Sequence, residues 1–311
     1  MLFIFRFIKM QQVKVEHIKT KPINTEQRNS SPKFKATVSA SIFKQAQKTQ
    51  LKTGTWKISP HGLSYQGHTR NDIPVMIELY LSPKEFKSYE CKEEFLMGVN
   101  SQHFKTVMNS SDWTDTIDIS VDDGVSHLDI TIYNTRCGVR KTQTFSLKCT
   151  SPVQLRNFVD SRNENFLCEL EMPSERYKDI CFAMRKLSDC TNDIMISMLP
   201  DKVLFEGWGD AKCIKSAVTI TPKGNDYTYR YSKDVGAPFR NIMLNYPTFN
   251  VFLNEKISLK FTNDKILVAE YKILKCGFLR YYMGPKTSHK FSKRKGNVKV
   301  KNEIKRARFF N

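Results

Sequence analysis

The stretch "PHGLSYQG" (Pro60 to Gly67) returns 140 positions later as "PDKVLFEG" (Pro200 to Gly207), sharing the pattern P-x-x-[LV]-x-[YF]-[QE]-G. A second pair follows in each case, "FKTVM" (Phe104 to Met108) and "FRNIM" (Phe239 to Met243), at an offset of 135. Two pairs in the same order at similar offsets make the chain a duplication, and a duplicated unit decides the fold before any single motif does. The halves run over 34–147 and 166–286, joined by a linker at 148–165 and flanked by a leader, 1–33, and a tail, 287–311.

Each half repeats itself more loosely as a helix followed by alternating strands, which predicts an α+β fold of two similar domains. Each domain holds two βαβββ units, with curved sheets outside and helices inside. The first helix, near 41–53, carries Ile42, Phe43 and Ala46 on one side and Lys44, Lys48 and Lys52 at i, i+4, i+8 on the other. In "PSERYKDICFAMRKL", Ser174 is a candidate N-cap, Tyr177, Ile180, Cys181, Met184 and Leu187 form the apolar face, and Lys178 and Arg185 share a flank. The second and fourth helices are short, and in both a cation follows a buried aromatic: Phe104 then Lys105, Phe239 then Arg240. "TIDISVDDGVSHLDITI" (116–132) and "KISLKFTNDKILVAEYKI" (256–273) alternate about central turns and predict hairpins.

The chain has 50 Lys and Arg against 31 Asp and Glu, a net charge of +19. Most of the excess lies on the flanks: residues 1–33 hold seven cations against Glu16 and Glu26, and residues 286–311 hold ten against Glu303. The central body is mildly basic, with its cations repeated on four helices. Together these make a positive surface suited to phosphate backbones. A solvated face is the bland alternative for any one helix, and a basic nucleic-acid-coating protein without a ring needs only the charge.

The eight cysteines form no C-x-x-C pair and the six histidines are scattered, so no zinc site and no cofactor are expected, and the thiols read as small apolar residues in a reducing compartment. The leader "MLFIFRFI" is broken by Arg6 and is too short to span a membrane. No membrane partner is expected. Asp122 and Asp123 are the best candidates for a metal-dependent nuclease, but Asp-Gly in a hairpin turn has a backbone explanation. No phosphate loop or hydrolase motif occurs, and no enzyme is expected.

Four stretches together resemble the sliding-clamp family of proliferating cell nuclear antigen: "ISPHGLSYQG", "YECKEEFLMGVN", "MPSERYKDIC" and "VAEYKILKCGFLRYYMGPK", over Phe34 to Lys286. The resemblance implies a DNA clamp fold whose helices line a ring around double-stranded DNA, with Lys44, Lys48, Lys52, Lys105, Lys178, Arg185 and Arg240 as DNA-facing cations. It implies a groove for partner peptides, with Ile73 and Val75 as floor, Tyr282, Gly284 and Pro285 as one wall, and Leu155 and Phe158 of the linker as the other. It further implies a homotrimer joined through strands near 142–149 and 210–218, a DNA polymerase and other clamp-binding proteins as partners, and a clamp loader. Phe182 stands where the family has an arginine, Pro200 at its ubiquitin-accepting lysine, and Ile266 at a groove proline. The leader and tail lie outside the family pattern.

Lys293-Arg294 and Lys305-Arg306-Ala307-Arg308 have the spacing of a bipartite nuclear import signal, and the same composition would grip DNA phosphates. The expected location is the nucleus, or a cytoplasmic replication site for a viral clamp. Within the same fold, a subunit of a hetero-oligomeric checkpoint clamp and a non-ring viral-type processivity factor remain as alternatives.

Overall fold

The structure, a computed structural model, describes residues 32–47, 53–69, 75–136, 139–152, 165–186, 193–208, 215–273 and 275–286. The chain divides at Ser31/Pro32, and the unit beginning at Pro32 holds both halves of the duplication.

Its first half runs β1 (Phe34–Ser39), α1 (Ala40–Gln47), β2 (Thr53–Ser59), β3 (Gly62–His68), β4 (Val75–Leu81), β5 (Ser88–Cys91), β6 (Phe95–Asn100), α2 (Ser101–Asn109), β7 (Thr116–Val121), β8 (His127–Arg136) and β9 (Val139–Thr150). The second runs β10 (Cys168–Pro173), α3 (Ser174–Lys186), β11 (Asp193–Leu199), β12 (Lys202–Trp208), β13 (Lys215–Ile220), β14 (Thr228–Tyr231), β15 (Val235–Arg240), α4 (Asn241–Leu244), β16 (Lys256–Phe261), β17 (Leu267–Ile273) and β18 (Gly277–Met283). Among the described residues each half therefore has nine strands, eight in two βαβββ units and a four-residue strand between them. "PHGLSYQG" and "PDKVLFEG" form the β2–β3 and β11–β12 turns. Gly62 sits at φ 144° with Leu81 O only 2.5 Å from where a Cβ would stand, so the first of these turns requires glycine.

The duplication extends to strand pairing. In the first half the order is β5-β1-β7-β8-β9 and β4-β3-β2-β6; in the second it is β14-β10-β16-β17-β18 and β13-β12-β11-β15. Phe34 lies between Cys91 and Val121 as Cys168 lies between Tyr231 and Phe261. The halves meet where β18 pairs antiparallel with β4, Tyr282 opposite Met76 and Arg280 opposite Glu78. Glu85 reinforces the junction: its Oε1 accepts from the Lys275 and Cys276 amides at 3.1 and 2.6 Å.

By this correspondence β9 is the first-half counterpart of β18, and β13 the second-half counterpart of β4. Both present open edges. Among the described residues β13 pairs only β12, and β9 meets β6 only at Cys149 and Thr150, which leaves its outer edge over 139–148 without a strand partner.

The core lies between the sheets and the helices and is built differently in each half. In the first, Phe43 of α1, Phe104 of α2 and Trp56 of β2 pack ring against ring with centroids 5.4 to 6.1 Å apart, and Tyr65 adds to Trp56 at 5.0 Å. In the second, buried tyrosines bridge layers through their hydroxyls. Tyr177 donates to Leu244 O at 2.8 Å, Tyr271 donates to Pro247 O at 2.9 Å, and Tyr281 accepts from Asn250 Nδ2. Burial raises the pKa of all three, which keeps their hydroxyls protonated and neutral. Ser174, the expected N-cap, donates its hydroxyl to Asn254 O at 2.6 Å and so ties the start of α3 to the loop before β16.

Candidate nucleic-acid interface and partner groove

The helices come in touching pairs, α1 with α2 and α3 with α4. Phe43 and Tyr177 are buried and Phe104 half-buried, with cations beside them turned outward. The step expected for two helices occurs in three: buried Phe43 precedes Lys44, half-buried Phe104 precedes Lys105, and buried Tyr177 precedes Lys178, whereas Phe239 and Arg240, expected on the fourth helix, are the last residues of β15, and α4 itself carries no cation. The next residue on a helix turns about 100° from the anchor, so in α1, α2 and α3 a buried ring followed by a cation sets the charge on the flank, while in β15 strand alternation turns Arg240 away from buried Phe239. Lys105, Lys178, Arg185 and Arg240 are exposed and Lys44 is half-buried. Lys48 and Lys52 lie outside the described residues.

Two features moderate this surface. Lys178 pairs with Glu175 at 2.8 Å, which raises its pKa by hydrogen bond and charge and takes up part of its field. Phe182, at the place of a family arginine, is exposed and carries Lys186 Nζ 4.7 Å from its ring centroid. Lys186 was missed by sequence reasoning; its i, i+4 spacing from Phe182 is the signal that reveals it.

Arg240 is the best marked of these positions. At the equivalent place before α2, Asn100 caps the helix by accepting from the Gln102 and His103 amides at 3.0 and 3.1 Å. Arg240 before α4 makes no side-chain cap, and a cation there opposes the helix dipole. A residue that breaks a local rule its counterpart obeys points to another use.

The described residues expected at a partner groove fall on and after the β4–β18 junction. Met76, Tyr282 and Val268 align across three strands, with Phe166 and Ile266 packed against them. The wall residue Tyr282 is in this cluster. Gly284 and Pro285 follow it half-buried, with nothing within 4 Å of where a Gly284 Cβ would be. Val75 is a correction: it is fully buried in the main core, because strand alternation turns it inward and gives the outer face to Met76. Ile73, Leu155 and Phe158 lie outside the described residues.

A charged row runs beside the apolar one. Glu270 accepts from Lys260 Nζ at 2.9 Å and Arg280 Nε at 2.5 Å; Glu78 accepts from the Tyr282 hydroxyl at 2.8 Å and Gln66 Nε2 at 3.3 Å. Burial alone would raise the Glu270 pKa, but Arg280 and Lys260 outweigh it and hold it below the ordinary carboxylate value. Burial likewise works to lower Arg280, and Glu270 reverses this to leave it raised. Glu78, from the first half, therefore fixes the ring of Tyr282, from the second.

Among the described residues no group of three His, Cys, Asp or Glu could hold a metal ion. Asp122 is occupied by its turn, its carboxylate accepting from the Ser126 and His127 amides and the Ser126 hydroxyl at 2.6 to 3.1 Å, and Asp123 faces Lys92 at 3.7 Å. The import candidates Lys293, Arg294, Lys305, Arg306 and Arg308 lie outside the described residues.

Duplicated βαβββ domains joined edge to edge, with their helices in touching pairs, define the fold of the DNA clamps. The chain matches the family of the proliferating cell nuclear antigen N-terminal domain over residues 34–153 and that of its C-terminal domain over residues 161–286. It belongs to the proliferating cell nuclear antigen family, and its function is of the sliding-clamp type.

Proposed function

We propose that the protein is a DNA polymerase processivity factor, closing as a homotrimeric ring around duplex DNA and tethering a polymerase and other replication or repair proteins at its outer groove. One observation carries this reading. The open edges of β9 and β13 are the counterparts of β18 and β4, the strands that already join the two halves. Pairing β9 of one copy with β13 of the next repeats the internal junction between molecules. Such a contact is head to tail, and it yields a closed ring when the rotation closes. Six similar domains then turn their helices inward, and contacts to phosphates give sequence-indifferent binding. The groove takes an extended peptide by apolar side chains beside Tyr282. A clamp loader opens the ring, and the work is done in the nucleus or at a viral replication site.

Primer extension on a circular single-stranded template, with polymerase and loader, tests this. Added protein lengthens the products of single binding events, whereas unchanged product length contradicts the reading. A subunit of a mixed ring is the second reading, favoured by one feature: β9 carries Arg140, Lys141 and Lys148, β13 carries Lys215, and neither strand has an acid. Sedimentation of the pure chain separates the two, a trimer supporting the first and a persistent monomer the second.

A further inference from the structure

The two helix pairs differ in what they expose. Among the described residues seven large apolar side chains are exposed, and four of them belong to the α3–α4 layer: Phe182 on α3, Ile242 on α4, and Phe249 and Phe252 on the 3-10 turns Pro247–Leu253 that follow α4. Each of the four is 46–58% exposed, and none of the seven lies on α1 or α2. A lone exposed apolar residue needs no explanation, but a group of them rimmed by charge marks a binding surface.

Hydrogen bonds hold this group on one surface. Asn241 Nδ2 donates to Met184 O at 3.0 Å, the Tyr177 hydroxyl and Cys181 thiol donate to Leu244 O at 2.8 and 3.4 Å, and the Ser174 hydroxyl donates to Asn254 O at 2.6 Å. Residues 241–254 therefore run antiparallel beside α3, from its last turn to its first. A step of about 100° from Cys181 and from Tyr177 brings Phe182 and Lys178 to the flank of α3 next to α4, and Arg185 falls on that flank too. Lys186 Nζ lies 4.7 Å from the Phe182 ring centroid, and exposed Arg240 stands two residues before Ile242. Of the acids on α3, Glu175 is taken up by Lys178 at 2.8 Å.

Duplex DNA turns phosphates outward and keeps its base faces stacked, so cations alone would serve it. An unpaired nucleotide offers a phosphate and an open base face together, and exposed rings set among cations match both. We propose that the α3–α4 layer is a single-stranded DNA site, on which Phe182 stacks an unpaired base while Arg185, Lys186 and Arg240 hold the adjacent phosphates. Ile242, Phe249 and Phe252 extend the apolar strip along α3. This rests on the reading of the helices as a DNA-facing surface and divides that surface by chemistry: the first pair, with Lys44 and Lys105, meets the duplex backbone, and the second meets an unpaired strand.

The test measures binding of the full chain and of Phe182→Ala to three labelled probes of about 16 nucleotides: oligothymidylate, a strand of the same length without bases, and a duplex. Because the Phe182 ring is exposed, its truncation leaves the fold intact. Phe182→Ala weakens binding to oligothymidylate by about tenfold and leaves binding to the abasic strand and the duplex unchanged. The slope of log affinity for oligothymidylate against log salt also stays the same, since stacking releases no counterion, whereas Arg185→Ala lowers it by about 0.7. No loss on oligothymidylate, or an equal loss on all three probes, overturns the proposal. So does self-association of the unaltered chain that Phe182→Ala abolishes, which assigns the strip to a second copy. Duplex binding tests the helix reading separately: if Arg185→Glu/Arg240→Glu leaves it intact, that reading falls, while a base-dependent loss in Phe182→Ala still upholds the single-strand site.

Discussion

The closed seam between β4 and β18 and the open edges of β9 and β13 are the same place in the duplicated fold, yet their chemistry differs. The closed seam sets Arg280 opposite Glu78 and Glu270, with Lys260 completing the row. On β9 and β13 every charged residue is a cation. A seam within one chain is made once, so it can bury a charged row that must be complete. In the proposed ring, an edge that meets another copy needs main-chain pairing first, and like charges along it restrain it from joining indiscriminately.

The largest effect is expected at the closed seam. Arg280→Ala leaves Glu270 and Glu78 buried beside a lost partner and should destabilise the protein by about 3–5 kcal/mol in denaturant unfolding. Glu270→Gln tests the same row by pH. Because the folded pKa of Glu270 lies below its ordinary 4.5, its ionised form stabilises the fold above that value, and the contribution disappears as pH falls through the lowered one. The variant should be less stable at pH 7 and lose less stability on acidification, whereas an unchanged acid profile would show that the row contributes nothing.

At the open edges the effects are smaller and opposite in their salt response. Lys148 is exposed on β9, so Lys148→Glu should tighten self-association a few-fold, about 0.2–1 kcal/mol, measured by sedimentation. Self-association of the unaltered chain should strengthen from 50 to 300 mM salt as like charges are screened, while DNA binding weakens. The smallest effect contrasts the two halves at their helix starts: Arg240→Asn restores the cap seen at Asn100 and should stabilise by about 0.5–1 kcal/mol while weakening DNA binding. Loss of stability would mean that Arg240 is held there for packing.

Much of this was legible from local pattern. The paired "PHGLSYQG" and "PDKVLFEG" turns, the hairpins around Asp122–Gly124 and Asn263–Asp264, and the apolar face of α3 follow from periods of two and 3.6 and from turn residues. The seam was not, because 75–81 and 277–283 pair across some 200 residues and no local feature of either names the other. For the same reason Val75 was mistaken for the groove floor. "VMIELYL" is nearly all apolar, so its alternation is silent, and only the register of Met76 with Tyr282 shows which residue faces out. The short strands β5 and β14 are mostly exposed and exist through their pairing with β1 and β10. The aromatic-cation step at Phe239 and Arg240 belongs to the end of β15, where the short segment FRNIM has too few residues for its period to separate strand from helix.

The central claim is that DNA is held by topology, with charge as an aid. It is tested most directly by loading the protein on closed circular duplex, raising salt until binding to linear duplex is lost, and then cutting the circle. The account predicts that protein stays on the intact circle and leaves within the time taken to cut it. Equal release from circular and linear DNA at that salt would contradict it.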